Sequence, residues 1–184
     1  SVTAVKNGES VDTSMGLTPL EGLVMGTRCG DMDPAVITFM MGKENLSTKE
    51  IDNIINKKSG LLGISGISND MRNLDEASKT NNRAELAIKM FCYRVKKYIG
   101  SYMAVLGHVD GIVFTGGIGE NSANIRARIL EGLDELGIKC DADKNAKARG
   151  CANFEKDGAP IKLYVIATDE EKAIAIDTYN IALK

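Results

Sequence analysis

Apolar positions along this chain change period several times, and each change marks an element. Val2–Val5 and Val11–Ser14 flank Lys6-Asn7-Gly8, and Asn-Gly between β-prone runs predicts a hairpin opening a meander. Pro34 stands where a helix begins, with an apolar stripe at Val36, Ile37, Phe39 and Met40 and an end near Gly42. Ser47 and Glu50 form a capping box ahead of a second short helix bearing Ile51, Ile54 and Ile55. Gly60–Ser68 (GLLGISGIS) is apolar and glycine-rich, which predicts a buried loop lying close to another backbone.

From Arg83 to Leu106 the apolar residues Ala87, Met90, Phe91, Val95, Tyr98, Ile99, Tyr102, Met103 and Leu106 recur with helical period over several turns. This is the long core helix. Gly111–Thr115 then reads as a strand, and Ile125, Ile129, Leu133 and Leu136 as the buried face of the next helix. Lys162–Ala167 repeats the strand, and Thr168 with Glu171 predicts a capping box opening a final helix through Ala173, Ile176 and Ile181. Strands alternating with helices after an initial meander predict an α/β fold, a mixed sheet covered by helices.

Composition narrows the function. The 184 residues are 43% hydrophobic, enough for a core, and the net charge of −2 gives no general attraction to nucleic acid or to an anionic membrane. No apolar run is long enough to span a bilayer and no signal segment opens the chain. Four cysteines at 29, 92, 140 and 151, with no CxxC spacing and a single histidine, His108, offer no structural zinc site. Reduced thiols in a cytoplasm are the expected state. The chain begins directly in a strand pattern without methionine, which leads to the expectation of a fragment.

Two glycine-punctuated segments carry the candidate chemistry. In Gly-Thr-Arg-Cys-Gly, Arg28 lies between Gly26 and Gly30, where its planar guanidinium could face a phosphoryl group. It could equally pair with its own neighbours Asp31 and Asp33. In Val113–Asn121 (VFTGGIGEN), Gly116, Gly117 and Gly119 follow a strand and precede a helical pattern, so free N–H groups and a helix dipole could hold an anion. An ordinary tight turn fits that segment as well, and its spacing is neither a Walker loop nor a dinucleotide fingerprint. Cys29 has no partner base in the sequence for nucleophilic work.

Taken together, DTSMGLTPLEGLVMGTRCGDMDP, SGISNDMRNLDEA, VFTGGIGENS and VIATDEEKAIA resemble the acetate kinase family, in its order and at its spacing. The resemblance implies an acetate and sugar kinase, Hsc70 and actin-type (ASKHA) fold. On that basis residues 1–184 are expected to form a single C-terminal nucleotide-binding lobe, ribonuclease H-like as in actin-like ATPases, with its first strand missing. It implies reversible transfer of the ATP γ-phosphoryl group to acetate, giving acetyl phosphate and ADP, with Mg²⁺ or Mn²⁺. Carried over by position, Arg28 stabilises the transition state and Pro19 walls the acetate methyl pocket. Asp70, Met71 and Arg72 contact adenosine; Gly117, Ile118, Gly119, Glu120 and Asn121 form the second nucleotide loop; Glu170 is linked to the metal. The resemblance also implies a homodimer and a missing N-terminal lobe with most of the remaining catalytic groups, so that this chain alone is expected to be inactive. A non-catalytic nucleotide-binding module and an inactive structural fragment are the rival readings.

Overall fold

The computed structural model describes residues 1–182 and divides into two compact units, Ser1–Val109 and Asp110–Lys184.

The first unit opens with the predicted hairpin. Strands β1 (Thr3–Lys6) and β2 (Glu9–Thr13) pair antiparallel, and Asn7 and Gly8 take the positive φ values of 54° and 82° that a two-residue turn of this kind requires. A register shift between Ala4 and Val5 kinks the first strand, and Ala4 is its one buried residue. The hairpin is a separate two-stranded sheet; no third strand makes it a meander among the described residues.

Helix α1 (Ala35–Glu44) runs past the expected stop at Gly42 and ends where Asn45 adopts a left-handed conformation. Its apolar stripe is not buried, and Phe39 is 63% exposed. Helix α2 (Thr48–Lys57) has the predicted capping box: the Glu50 N–H donates to Ser47 Oγ, while Glu50 Oε2 accepts from the Ser47 N–H at 2.8 Å.

Gly60–Ser65, expected as a loop, is instead a short helix, α3. Its first N–H groups have acceptors supplied from outside, since Leu61 N–H donates to Met25 C=O and Leu62 N–H to Gly26 C=O, both at 2.9 Å. The expected close backbone approach is present: Gly60 has φ 62°, and a Cβ there would stand 2.2 Å from the Met25 carbonyl oxygen. After α4 (Met71–Ala77) comes α5 (Asn82–Leu106), capped by Asn81, which accepts from Arg83 N–H and Ala84 N–H. Helix α5 buries Ala84, Ala87, Ile88, Phe91, Cys92, Val95, Ile99 and Tyr102 against α3, α4 and β1, while Met90, placed on the stripe from sequence, is 41% exposed.

In the second unit β3 (Gly111–Phe114) pairs parallel with β5 (Lys162–Ile166). Strand β4 (Cys151–Asn153), unforeseen in the sequence, pairs antiparallel with the other edge of β5. The sheet is therefore mixed. Between β3 and β4 lie α6 (Gly116–Asn121), α7 (Ala123–Leu130), a 3-10 turn (Asp134–Leu136) and α8 (Ala142–Lys147). Ile125 and Ile129 are buried on α7 as expected, but Leu133, buried, and Leu136, exposed, both lie beyond the end of that helix. Leu163 and Val165 of β5 and Phe154 are fully buried. The last helix, α9 (Glu170–Ala182), is entered through Asp169, whose carboxylate accepts from Lys172 N–H at 3.1 Å. Thr168 is not the cap, and Ile176 and Ile181 are exposed. Among the described residues no helix is long and apolar enough to cross a membrane.

Candidate functional site

Site residues anticipated from the sequence fall into two groups, one in each unit.

In the first unit, Arg28 sits in a turn held on several sides by backbone hydrogen bonds. Cys29 N–H donates to Ile55 C=O at the end of α2, Thr27 Oγ1 donates to Asn56 C=O, and Met25 N–H closes the turn onto Arg28 C=O. Gly26 lies against Asn69, where a Cβ would be 3.1 Å from the Asn69 carbonyl oxygen. Gly30, with φ 69°, lies closer still to Leu23, whose carbonyl oxygen would stand 2.5 Å from a Cβ there. The Gly26 contact brings the arginine turn beside Asp70–Arg72.

The alternative of an arginine paired with its own carboxylates is not what the turn shows. Asp31 accepts from Gly22 N–H at 2.8 Å and Tyr98 Oη at 2.7 Å, and forms an ion pair with Arg94 at 2.7 Å. Burial disfavours the Asp31 anion, but these three donors hold its carboxyl below the ordinary carboxylate range. Asp33 accepts from Ala35 N–H at 2.9 Å and starts α1. The Arg28 guanidinium has only a long contact, 3.9 Å, to Met25 Sδ, and no ion pair among the described residues.

Arg28 and Pro19 line one cleft of about 750 Å³, with Thr18, Leu20 and residues of α2 including Asn53 and Lys57. Two carboxylates in the lining are already engaged: Glu50 in its capping box, and Asp52 with the Asn56 side-chain amide at 3.0 Å. Such a lining, with cations unmatched by free anions and an apolar wall, suits a small anion with a short apolar tail. Burial pushes the Cys29 thiol above its ordinary value, against an opposing backbone hydrogen bond, so the neutral thiol is favoured.

Asp70 caps α4 by accepting from Arg72 N–H at 2.8 Å and also binds the Arg72 guanidinium, with Nη2 2.6 Å from Oδ2. Those bonds, the guanidinium's first, bring the Asp70 carboxyl down to about 2. The Arg72 side chain is 90% exposed, whereas Met71 is turned into the core and is 6% exposed.

In the second unit the glycine segment is not an open loop. Residues Gly116–Asn121 are themselves helical, with Gly116 at φ 70° and Gly119 packed against Phe114. The N–H of Gly116, expected to be free, donates to Glu120 Oε1 at 2.8 Å, and the same oxygen accepts from Thr168 N–H at 3.1 Å and Thr168 Oγ1 at 3.3 Å. One carboxylate thus joins the glycine segment to the chain two residues before Glu170. Gly117 and Asn121 are exposed, Ile118 and Gly119 half-buried, and the Asn121 side chain donates to Gly117 C=O. Glu170 is exposed in the first turn of α9. No group of three His, Cys, Asp or Glu residues converges on a metal position among the described residues. A Mg²⁺ site built from one carboxylate, waters and substrate phosphates needs no such group, so Glu170 fits that kind of ligation.

No motif in the sequence marks Arg126, which is fully buried beneath the glycine segment and donates to the carbonyls of Gly119 and Glu120. Its one signal was position, four residues before Leu130 on the apolar face of α7.

The Acetokinase family profile matches residues 1–176. The chain is 87% identical over 182 residues to an acetate kinase of Brachyspira hyodysenteriae, covering 99% of this chain and 46% of that protein. It is 60% identical over 183 residues to one of Methanosarcina thermophila, covering 98% and 45%. Among solved structures, Porphyromonas gingivalis acetate kinase superposes with a TM-score of 0.93 at 47% identity, covering 99% of this chain and 46% of that one. A propionate kinase from Francisella tularensis gives 0.86 at 48% identity, covering 92% and 43%. The chain spans about half the length of the curated relatives it matches, and its fold is the α/β, actin-like kinase fold of those structures. With a family match across nearly the whole chain, this protein belongs to the acetokinase family.

Proposed function

We propose that this chain supplies the nucleotide-binding and charge-stabilising half of an acetate kinase site, which transfers the γ-phosphoryl group of ATP to acetate and reverses the reaction. One observation carries the reading. Arg28 faces a cleft shared with Pro19, while Asp31 and Asp33, the carboxylates that could have neutralised it, are engaged elsewhere. An arginine kept free of anionic partners is available to equatorial phosphoryl oxygens as charge builds on them.

The other roles follow by position. Pro19 limits the length of the acid, where one extra methylene changes selectivity by only about 1–3 kcal/mol, so propionate is a poorer substrate rather than an excluded one. Asp70 and Arg72 hold adenosine, with Arg72 the exposed member of the triplet, and Met71, 6% exposed, supports them from the core. Gly117–Asn121 hold the nucleotide phosphates, and Glu170 supports a hydrated Mg²⁺, which neutralises phosphate charge when bound. On this reading residues 1–184 form a single lobe, and a further lobe, from the part of the relatives' length that this chain does not cover, completes the site; a homodimer and a cytoplasmic setting rest on the family resemblance.

The test is a chimera in which this chain replaces the matching 46% of the Brachyspira hyodysenteriae enzyme. Acetate-dependent ADP formation is expected, and Arg28→Ala is expected to lower turnover about 10³-fold with nucleotide affinity little changed. If turnover persists while ADP affinity collapses, Arg28 belongs to the nucleotide site instead. A chimera that binds ADP but forms none from ATP and acetate favours a non-catalytic nucleotide-binding module.

A further inference from the structure

Arg126, in α7, has no exposed surface, and it is the largest of the fully buried side chains. Its Nε and Nη2 donate to Oδ1 and the carbonyl oxygen of Asn145, each at 2.8 Å. Its Nη1 donates to the carbonyls of Gly119 at 2.8 Å and Glu120 at 3.0 Å. The guanidinium carbon lies 5.4 Å from the centre of the Phe154 ring. Asn145 is fixed in turn, 3% exposed and donating to Ala123 C=O at 2.8 Å.

Every acceptor in that set is a neutral oxygen, and no carboxylate pairs with Arg126 among the described residues. The Glu120 carboxylate turns away to Gly116 and Thr168. Arginine keeps its proton at any ordinary pH, so a whole positive charge is buried without an anion. Burial of an unpaired charge is expensive, and a neutral side chain of similar length could fill the space. The charge sits directly against the backbone of the segment read as the nucleotide loop, and a phosphate there would be its missing counter-ion.

We propose that Arg126 is a positioning residue for the nucleotide: it fixes Gly119 and Glu120 through their carbonyls and holds one positive charge beneath the segment, complementing phosphate without touching it. This rests on reading Gly117–Asn121 as the nucleotide loop.

The experiment titrates the 184-residue chain with adenosine, AMP and ADP, without divalent metal, following the amide signals of Gly116–Asn121 by NMR. A charge on the order of 10 Å from the phosphates at an effective dielectric near 20 is worth about tenfold in affinity. Arg126→Gln is therefore expected to weaken ADP about tenfold and AMP less, leaving adenosine unchanged. Arg126→Lys, which keeps the charge and loses the fork, is expected to keep the preference for ADP. Equal weakening of all three ligands in Arg126→Gln, or no weakening of any, overturns the counter-charge while the nucleotide reading stands. If Arg126→Gln does not fold, loss of the ADP preference in folded Arg126→Lys overturns it. If the unaltered chain binds none of the three, the nucleotide reading fails, and the inference with it.

Discussion

Tyr98 donates its hydroxyl hydrogen to Asp31 at 2.7 Å, joining the long helix α5 to the turn that carries Arg28. Burial pushes the Tyr98 phenol up, and Asp31 adds to the rise by favouring the protonated form. Tyr98→Phe leaves Asp31 short of a donor while keeping the ring, and is expected to lower stability by about 1–3 kcal/mol. Urea unfolding measures it; an unchanged midpoint would mean that Gly22 and Arg94 satisfy Asp31 alone.

Gly60 offers a sharper test of how the arginine turn is held. Alanine there would set its Cβ 2.2 Å from Met25 O and 2.7 Å from Arg28 O, both backbone atoms that cannot swing aside. Gly66, with φ 69° and open space around it, isolates the backbone term. Gly66→Ala is expected to cost about 1 kcal/mol, for the left-handed conformation alone. Gly60→Ala is expected to exceed that several-fold and to shift the Arg28 amide resonance, so equal losses in the two variants would refute the close-contact account.

A pH dependence follows from Glu155, 4% exposed in the second unit. Burial opposes its ionisation, but Asn153 at 3.0 Å, Leu163 N–H at 3.2 Å and Lys162 at 3.1 Å, with a further backbone hydrogen bond, outweigh burial and bring its carboxyl down to about 2. The folded value lies below the unfolded one, so the stabilisation is complete above the ordinary carboxylate value of 4.5 and disappears as pH falls toward 2. Its size is on the order of 3 kcal/mol. Stability measured from pH 6 down to about pH 2 should show this loss in the unaltered chain and a flatter profile in Glu155→Gln.

The prominent elements were legible because one local cause sufficed for each. Asn7-Gly8 accepts positive φ, Ser47 and Glu50 satisfy each other's N–H groups, and α5 repeats its period long enough to outvote single residues. The parts that escaped depend on partners distant in sequence. Gly60–Ser65 is helical because Met25 and Gly26 supply acceptors, β4 exists because β5 offers an edge, and Thr168 is drawn from its capping role to Glu120. Spacing placed Arg28 in its turn, yet two of the three donors that occupy the Asp31 carboxylate, Arg94 and Tyr98, come from over sixty residues away.

Asp70 gives a prediction independent of catalysis. Its carboxyl, held at about 2, owes most of that depression to the Arg72 side chain and less to the Arg72 N–H. Arg72→Ala should move its titration upward toward the ordinary 3.8 while α4 persists, because the backbone cap remains. Carboxyl ¹³C shifts followed against pH would show it, and an unmoved midpoint would place the cause in the helix start rather than in the ion pair.

The single oxygen Glu120 Oε1 serves Gly116 and Thr168 at once. The two strand-to-helix junctions of the second unit, one after β3 and one after β5, are therefore mechanically linked through one atom. A ligand that claims the Gly116 amide must displace that carboxylate, and the chain leading into Glu170 then loses two hydrogen bonds in the same event. Any shift of Glu120 at the first junction is therefore felt at the second, because Glu120 Oε1 is the acceptor they share.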